Sequence, residues 1–424
     1  MLFAIILFAL TYVLMLVFSK YRTYIALGSG LIFVASGMLP LGEILPSLDW
    51  NVLLMIGGTM GLVQLFIDSK MPARMADMIM RKVPNVQWAA VCLSLFAGLI
   101  SAFVDNVATV LMVAPVAIAI CKKLKTNPVP FIIAIAVSSN LQGAATLVGD
   151  TTAIMLGSAL DMSFLDFIWY QGKPGMFFMV QLGALLSAVI VYFSFRREKS
   201  QIPKTGDLTA VEDIVPTVLL AGTIILLIIA SFLPVELPAQ TNGMICVAMM
   251  VMGLVYNWIK KRNWEAVVGP LKAIDLETLG LLVGLFLMIG GISHQGVIDA
   301  LASWLAQLGA GKPFLMYTII VWASVIISAF IDNIPYVATM IPVIGGIAAE
   351  IGMDATPLYF GLLSGATLGG NCTPIGASAN ITGIGILRKE GYQVANKDFF
   401  RIGIPFTLVA IVPAYIFIWI LFGV

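Results

Sequence analysis

Two stretches of this chain place an aspartate and an asparagine side by side within apolar sequence. They are "SAFVDNVATVLMVAPV" at 101–116 and "SAFIDNIPYVATMIPV" at 328–343, and they are identical at eight of sixteen positions. Asp105 is the only charged residue of the surrounding run 86–121, and Asp332 has the same place in the second copy. A charge in hydrocarbon costs at least about 2.5 kcal/mol, so acids there are usually functional. Binding of a cation or a proton is one interpretation, and capping of the returning helices is the other.

A second pair of matching stretches carries the other candidate residues. "SSNLQGAATLVGDTTAI" (138–154) and "GATLGGNCTPIGASANI" (365–381) align at the same offset of 227 residues, and Gly and polar residues interrupt both. Ligation of a substrate or ion is the favoured interpretation, and hydrogen bonding between helices is the alternative. The full set of candidate residues is Asp105, Asn106, Asn140, Thr146, Asp150, Asp332, Asn333, Asn371, Thr373, Ser378 and Asn380. Within it, Na⁺ could bind near the amides of Asn106, Asn140, Asn333 and Asn380.

The breaks also predict where short helices begin. Thr373 followed by Pro374 is typical of a helix N-cap with Pro at the first helical position, and Thr146 has the equivalent place. Four half-helix N-termini would then converge near the midplane and favour anions or electron-rich oxygens. Cys372 could bind a metalloid, although a lone core thiol more often packs. The sequence predicts no firm metal site.

The elements that must position these residues are membrane helices. The chain is 60% apolar and 11% charged, with a mean hydropathy of +1.02. This composition predicts a polytopic α-helical membrane protein and excludes a soluble domain. A net charge of +1 gives no reason to expect nucleic acid as a partner. The predicted crossings are 2–18, 24–42, 51–67, 129–162 (broken), 176–195, 215–233, 239–257, 277–294, 356–387 (broken) and 403–422.

Two further apolar runs, 86–121 and 313–349, are predicted to be re-entrant hairpins. If each hairpin returns to its own side, the interior loops hold every Lys and Arg except Lys173 and Lys312. This is the bias expected of cytoplasmic loops. The first hairpin then enters from the cytoplasm and the second from outside, and both chain termini lie outside.

The two halves therefore have opposite orientation, which predicts an inverted-topology repeat. The first repeat is 1–195, with hairpin 86–121 and broken helix 129–162. A cytoplasmic linker covers 196–214. The second repeat is 215–424, with hairpin 313–349 and broken helix 356–387.

Several of these stretches resemble one family of permeases. "SAFVDNVATVLMVAPV", "GAATLVGD", "SAFIDNIPYVATMIPV", "GATLGGNCTPIGASAN" and "DFFRIGIP" are similar to the family that includes the pink-eyed-dilution P protein. That family groups with the arsenical-pump membrane protein and the NhaD-type sodium–proton antiporters, in the ion transporter superfamily. The resemblance implies a scaffold domain, a mobile domain that carries the hairpins, a homodimer and elevator-type alternating access. Two departures are "GDTTA" at 149–153, where P-like permeases resemble "GDPPN", and Cys372, where glycine is common.

Together these features predict a secondary active ion transporter of the plasma membrane, the inner membrane of a prokaryote. Proton-coupled antiport with export of arsenite or sodium is the leading hypothesis, and H⁺ or Na⁺ is the coupling ion. Sodium-coupled import of a small anion such as citrate or a dicarboxylate is the alternative, since "SSNL" (138–141) approaches a dicarboxylate-carrier signature. A passive channel is less favoured, because no continuous polar path is evident.

No enzyme activity and no cofactor are predicted, because the sequence offers no nucleophile paired with a base and no metal triad. P-loop signatures are also absent. An ATPase subunit would therefore be a partner only if the protein resembles the arsenical pump. The other expected partners are the lipid bilayer and a small ion or anion as substrate.

Overall fold

The structure, a computed structural model, describes residues 1–201, 208–233, 237–309 and 311–423, and these are almost entirely helical. Helices dominate because a backbone in lipid must satisfy its own hydrogen bonds. The helices of the first half are α1 (Leu2–Val17), α2 (Arg22–Ala35), α3 (Ile44–Ser47), α4 (Trp50–Asp68), α5 (Met71–Met80), α6 (Val86–Ser101), α7 (Asn106–Leu124), α8 (Val129–Gly143), α9 (Thr151–Ala159) and α10 (Met176–Ser194). Two short antiparallel strands, β1 (Trp169–Tyr170) and β2 (Lys173–Pro174), precede α10.

The second half repeats this order. Its helices are α11 (Val215–Phe232), α12 (Thr241–Lys261), α13 (Glu265–Lys272), α14 (Leu276–His294), α15 (Val297–Leu308), α16 (Pro313–Ser328), α17 (Asn333–Ile351), α18 (Thr356–Gly369), α19 (Ser378–Lys389) and α20 (Asn396–Phe422).

The predicted fold class, an all-α protein that crosses the membrane many times, is confirmed. Among the described residues, eight helices are long and apolar enough to span a membrane, or up to ten if each of two bent pairs is one span. The predicted crossing at 24–42 is too long, because α2 ends at Ala35 and the chain turns at Gly37, whose φ of +72° suits glycine. The last crossing, predicted from 403, belongs to a helix that already begins at Asn396.

Both predicted hairpins and both broken helices are present. The first hairpin is α6 and α7, joined by residues 102–105, and the second is α16 and α17, joined by residues 329–332. The first broken helix is α8 and α9, and the second is α18 and α19. The bounds predicted for the two repeats and the linker stay predictions, and residues 202–207 of the linker lie outside the described residues.

Each hairpin tip is held by the break that follows it, and the two halves use the same contacts. The Thr146 hydroxyl donates to the Ala102 carbonyl, and the Thr373 hydroxyl donates to the Ala329 carbonyl. Thr373 lies 227 positions after Thr146, and Ala329 lies 227 positions after Ala102, which is the offset of the sequence repeat. The hydroxyls satisfy tip carbonyls that have no helical partner.

The prediction that Thr373 and Thr146 cap short helices is wrong. The second short helix begins at Ser378, five residues after Thr373, whose backbone is extended (φ −130°, ψ 159°). The first begins at Thr151 and is capped by Asp150, which accepts a hydrogen bond from the Thr151 N–H at 2.8 Å. Both threonine hydroxyls donate to the hairpin tips, and both short helices begin five residues further along the chain.

The helices form two packed groups. The flanking unit consists of α1–α4 and α11–α14, in which α4 packs on α12 and α14 packs on α2. The hairpin unit consists of α6–α10 and α16–α20, in which α6 packs on α8, α16 on α18, and α10 on α20. The amphipathic helices α5 and α15 connect the units and pack on α7 and α17, respectively. The two units meet where α4 contacts α9 and α14 contacts α17.

Two glycines show how closely each hairpin tip packs against the helix break that follows it. A Cβ at Gly149 would lie 2.6 Å from the Gly143 carbonyl oxygen and 2.9 Å from that of Ser101. A Cβ at Gly376 would lie 2.6 Å from the Gly370 oxygen and 2.9 Å from that of Ala329. Backbone atoms on both sides leave no room for a side chain.

We therefore expect Gly149→Ala and Gly376→Ala each to destabilise the protein by about 1–3 kcal/mol, because the added methyl separates tip from break. Thermal unfolding in detergent, followed by tryptophan fluorescence, measures the loss. Gly385→Ala is the matched control, since a Cβ at this helical glycine of α19 meets nothing within 4 Å. Equal stability of all three variants would contradict the close packing.

Candidate functional site

A cavity of about 150 Å³ lies where the hairpin unit meets the flanking unit. The hairpin unit contributes the first turns of α7, α9, α17 and α19, and the flanking unit contributes the end of α4 and the beginning of α14. The lining residues are Met60, Val63, Gln64, Ile67, Asp105, Asn106, Val107, Ala108, Leu111, Asp150, Thr151, Ala273, Asp275, Thr278, Asn333, Ile334 and Ser378.

The structure brings five of the predicted site residues to this cavity: Asp105, Asn106, Asp150, Asn333 and Ser378. They come from both halves of the chain, and each lies at or beside the N-terminus of a short or returning helix. The predicted convergence of four helix N-termini is therefore present.

The charge at three of these four N-termini differs from the expectation, because carboxylates already cap α7, α9 and α17. The Asp105 carboxylate accepts from the Val107 and Ala108 N–H groups at 2.9 and 3.2 Å. Asp150 caps α9 in the same way. The positive ends of the α7, α9 and α17 dipoles therefore each stabilise a carboxylate of the protein, whereas α19 begins without a side-chain cap.

Asp150 joins the two halves at the cavity. It is buried, and its Oδ2 accepts a hydrogen bond from the Thr152 hydroxyl at 2.8 Å. The same oxygen is 3.5 Å from the Asn333 amide nitrogen, which belongs to the second hairpin. A cation bound at Asp150 would therefore contact both repeats.

Three buried amides form a chain that starts at Asn106 in the cavity lining and continues through Asn140 and Asn371, which do not line the cavity. Asn106 donates to the Asn140 side-chain oxygen at 2.9 Å, and Asn140 donates to that of Asn371 at 3.1 Å. Asn140 also donates to the Thr367 carbonyl at 3.1 Å, and Asn371 donates to the Val137 carbonyl at 3.0 Å. Asn140 and Asn371 thus tie the two broken helices together.

Asn380 also lies away from the cavity lining, but its side chain is incompletely bonded. Its amide nitrogen donates to the Gly370 and Thr373 carbonyls at 2.9 and 3.0 Å. Its Oδ1 is buried and has no hydrogen-bond partner in the described part of the chain. A buried oxygen without a hydrogen bond is costly. Among the predicted Na⁺ ligands, Asn380 therefore has the oxygen that would gain most from a bound ion.

Asp332 does not line the cavity, although it is the repeat counterpart of Asp105. Its Oδ1 accepts from the Ile334 N–H at 3.1 Å, and its Oδ2 accepts from the Ser378 hydroxyl at 3.2 Å. The Arg22 guanidinium of the flanking unit forms an ion pair with the same Oδ2. The two aspartates therefore lie in different electrostatic surroundings.

The sequence analysis missed Asp275, which lines the cavity from the flanking unit. Asp275 caps α14, where it accepts from the Thr278 N–H at 3.0 Å and the Thr278 hydroxyl at 2.7 Å. Its counterpart Asp49 caps α4 and accepts from the Val52 N–H at 3.0 Å. The acids of "LDWN" and "IDLE" are visible in the sequence, but their position relative to a cavity depends on how the two units pack.

The chemistry of the cavity follows from its charges. Three carboxylates, those of Asp105, Asp150 and Asp275, face a space that no described Lys, Arg or His lines. The described residues contain no group of three His, Cys, Asp or Glu side chains that could hold a metal ion tightly. Cys372 and His294 are not among the lining residues. Such a site can exchange a weakly held small cation for protons.

A second, larger cleft of about 490 Å³ lies at the other end of α4. Asp49, Asn51 and Asp161 are among its lining residues, and it shares no lining residue with the smaller cavity. The structure thus has separate polar clefts at the two ends of α4, and each contains the N-cap aspartate of a flanking helix.

Multiple apolar spans, paired hairpins and a polar cavity at the break of two helices define a polytopic membrane transporter. The sequence profile described as "Citrate transporter" matches residues 6–365, and a second match covers 243–424. The chain belongs to this citrate transporter family, CitMHS, of the ion transporter superfamily.

Known relatives agree with this class. An uncharacterized transporter of Mycobacterium tuberculosis strain H37Rv is 30% identical over 427 residues, which cover 98% of this chain and 97% of the relative. The human P protein is 27% identical over 443 residues, which cover 86% of this chain and 52% of that protein. The crystal structure of the Alcanivorax borkumensis YdaH transporter superposes with a TM-score of 0.62 over 92% of this chain and 88% of that chain. At 15% identity, this likeness shows the fold alone.

Replacing Asn140 tests the chain of buried amides. We expect Asn140→Ala to lower the free energy of unfolding by about 2–4 kcal/mol, because the amides of Asn106 and Asn371 each lose a buried partner. Thermal unfolding in detergent measures the effect. Asn396→Ala, at an exposed position at the start of α20, is the control and should change stability little. A small effect at Asn140 would show that water replaces the lost bonds.

Proposed function

We propose that the protein is a secondary active transporter that exchanges a small cation for protons. The observation that carries this proposal is the cavity lined by Asp105, Asp150 and Asp275 without a described basic residue. A carboxylate at membrane depth is stable when it holds either a proton or a cation. Competition between the two at the same oxygens couples their movements, without any covalent chemistry.

Among the substrates considered, this geometry favours sodium over arsenite. Carboxylate and amide oxygens are hard ligands, which suit a hard cation. A soft ligand for arsenite would have to be a thiol, and Cys372 does not line the cavity. An NhaD-like activity therefore fits the site better than an arsenical-pump-like one, and this choice is part of the proposal.

The two separate clefts support alternating access. Asp275 and Asp49 cap equivalent helices of the flanking unit, one at each cleft. We propose that the hairpin unit moves past α4 and α14, as in an elevator, and exposes the site first beside one aspartate and then beside the other. A passive channel would need one continuous path, and the two clefts share no lining residue.

Import of citrate or another small anion is the second candidate, and the family supports it. Carboxylates in the cavity repel a multiply charged anion, so citrate would have to enter together with bound cations. Sodium bound near Asn380 and Asp150 could supply that charge. Under this candidate citrate uptake should depend on a cation.

A homodimer in the plasma membrane, with both chain termini outside, remains part of the proposal. The basic loops would then lie in the cytoplasm, and the cavity at the end of α4 would face them.

The decisive experiment uses purified protein in liposomes under an imposed pH gradient, with sodium, arsenite or citrate offered in turn. We expect sodium alone to move protons, as reported by an internal pH dye, and to move against its own gradient. Citrate that moves protons only with a cation present would favour the second candidate. Proton movement with none of the three, or purely passive flux, would refute secondary transport of these substrates.

Variants of the cavity carboxylates test the assigned residues. We expect Asp105→Asn and Asp150→Asn each to weaken the apparent sodium affinity about ten- to a hundredfold, because each removes a charged ligand. Asp299→Asn, at an exposed site in the first turn of α15, is the matched control and should behave like the wild type. If sodium–proton exchange is unchanged in both cavity variants, these acids only cap helices and do not bind the cation.

Asp275 should have a smaller effect, because it is solvent-exposed at the cavity mouth. We expect Asp275→Asn to weaken the apparent sodium affinity about two- to fivefold, and the difference should shrink at high ionic strength. Sodium titrations of exchange at low and high salt measure this. Glu265→Gln, at an exposed acid in the first turn of α13 and outside the lining, is the control. Equal effects of the two changes would point to a general surface potential.

A further inference from the structure

The two repeats treat their hairpin aspartates differently. Asp105 lines the cavity and has no ion-pair partner among the described residues, whereas Asp332 pairs with Arg22. Arg22 is the first residue of α2, in the flanking unit, and Asp332 is at the tip of the second hairpin, in the hairpin unit. The pair therefore joins the two groups of helices.

Both oxygens of Asp332 have partners in this arrangement, and one of the partners is a cation. Oδ1 caps α17, while Oδ2 binds both the Ser378 hydroxyl and the Arg22 guanidinium. The side chains of Arg22 and Asp332 are only 29% and 13% exposed, so solvent screens the pair incompletely. Loss of Arg22 would leave the mostly buried Asp332 charge without its counter-ion. The Arg22 charge thus offsets that of Asp332 and disfavours a cation there in this conformation.

A second contact holds the same hairpin to the flanking unit. The Tyr12 hydroxyl of α1 donates to the Pro335 carbonyl at 2.7 Å and is also hydrogen-bonded to the Thr339 hydroxyl. The first repeat lacks the charged part of this arrangement. The helix that corresponds to α2 in its packing is α12, and it begins with Thr241, which has no charge.

Other charges lie around Arg22. Asp275 and Glu277, at the start of α14, both act on its guanidinium. Because α14 packs on α2 within the flanking unit, these acids stay near Arg22 if the hairpin unit moves. Their negative charge lowers the cost of separating Arg22 from Asp332.

We propose that Arg22 is a latch for the second hairpin and that the two repeat aspartates have divided roles. Arg22 holds Asp332, and with it the hairpin unit, in the position seen here, while Asp105 remains available to the transported cation. The latch depends on the proposed function in two respects only: the hairpin unit moves, and the transported ion is a cation.

Accessibility of the cavity tests the latch without any substrate. Ala108→Cys places a thiol in the lining, and a charged, membrane-impermeant thiol reagent added at the cavity's side reports how often the cavity is open there. Labelling of protein without the reporter is subtracted, because the four native cysteines are buried or half-buried. We expect Arg22→Gln and Asp332→Asn each to slow labelling at least about threefold, and the double variant to be no slower than either.

Lys20→Gln is the matched control, because Lys20 is a neighbouring cation that has no ion pair in the described structure and lies over the Tyr21 ring. Its labelling rate should equal that of the reporter protein. Effects that add up in the double variant, or a rate that stays the same or rises in Arg22→Gln, would overturn the latch. Asn caps helices well, so Asp332→Asn should still fold.

Sodium-driven exchange tests the division of roles. We expect Asp332→Asn to lower the maximal rate and leave the apparent KM for sodium within about twofold, since Asp332 is not a ligand here. Asp105→Asn should raise that KM. An equal rise in both variants would make Asp332 a cation ligand and overturn the proposal. If the wild type moves no sodium, the proposed function fails while the labelling cycle still decides the latch.

Discussion

The fold depends on satisfying the backbone where helices stop inside the membrane. Each hairpin tip and each helix break exposes carbonyl and N–H groups that lipid cannot bond. The chain meets this demand by packing tip against break, with one threonine hydroxyl on a tip carbonyl in each half. Glycine is needed at Gly149 and Gly376 because backbone atoms approach within 3 Å of where a side chain would begin. The polar cavity can lie at membrane depth because these contacts close the backbone around it.

The same demand explains why the cavity is acidic. The free N–H groups at the starts of α7, α9 and α14 are capped by the cavity residues Asp105, Asp150 and Asp275. A carboxylate at each cap satisfies the helix end and leaves negative charge beside the cavity, so structural and ion-binding roles are combined in one side chain. The capping and binding interpretations of these acids are therefore compatible, and substitution by Asn separates them because it keeps the cap and removes the charge.

The two repeats share a backbone arrangement, but equivalent side chains make different contacts. The hairpins, breaks and threonine contacts recur at one offset, yet Asp105 faces the cavity and Asp332 faces Arg22. The buried amides of Asn140 and Asn371 bond to each other across the two broken helices, and their partners differ because these two residues are not repeat equivalents. A cation between the repeats would therefore meet unlike ligands from the two sides.

The sequence by itself determined the helical membrane class, both hairpins and both broken helices, because apolar length, charge and a repeated polar pattern follow directly from residue order. It also determined five of the cavity residues, since a polar residue at a helix break must face something other than lipid. Only the tertiary structure decided the starts of α9 and α19, where Thr146 and Thr373 turned out to bind the tips. It also decided that two residues of the flanking unit take part: Asp275 lines the cavity, and Arg22 pairs with Asp332. The Arg22–Asp332 contact joins residues 310 positions apart along the chain, and no local pattern specifies how two packed groups of helices meet.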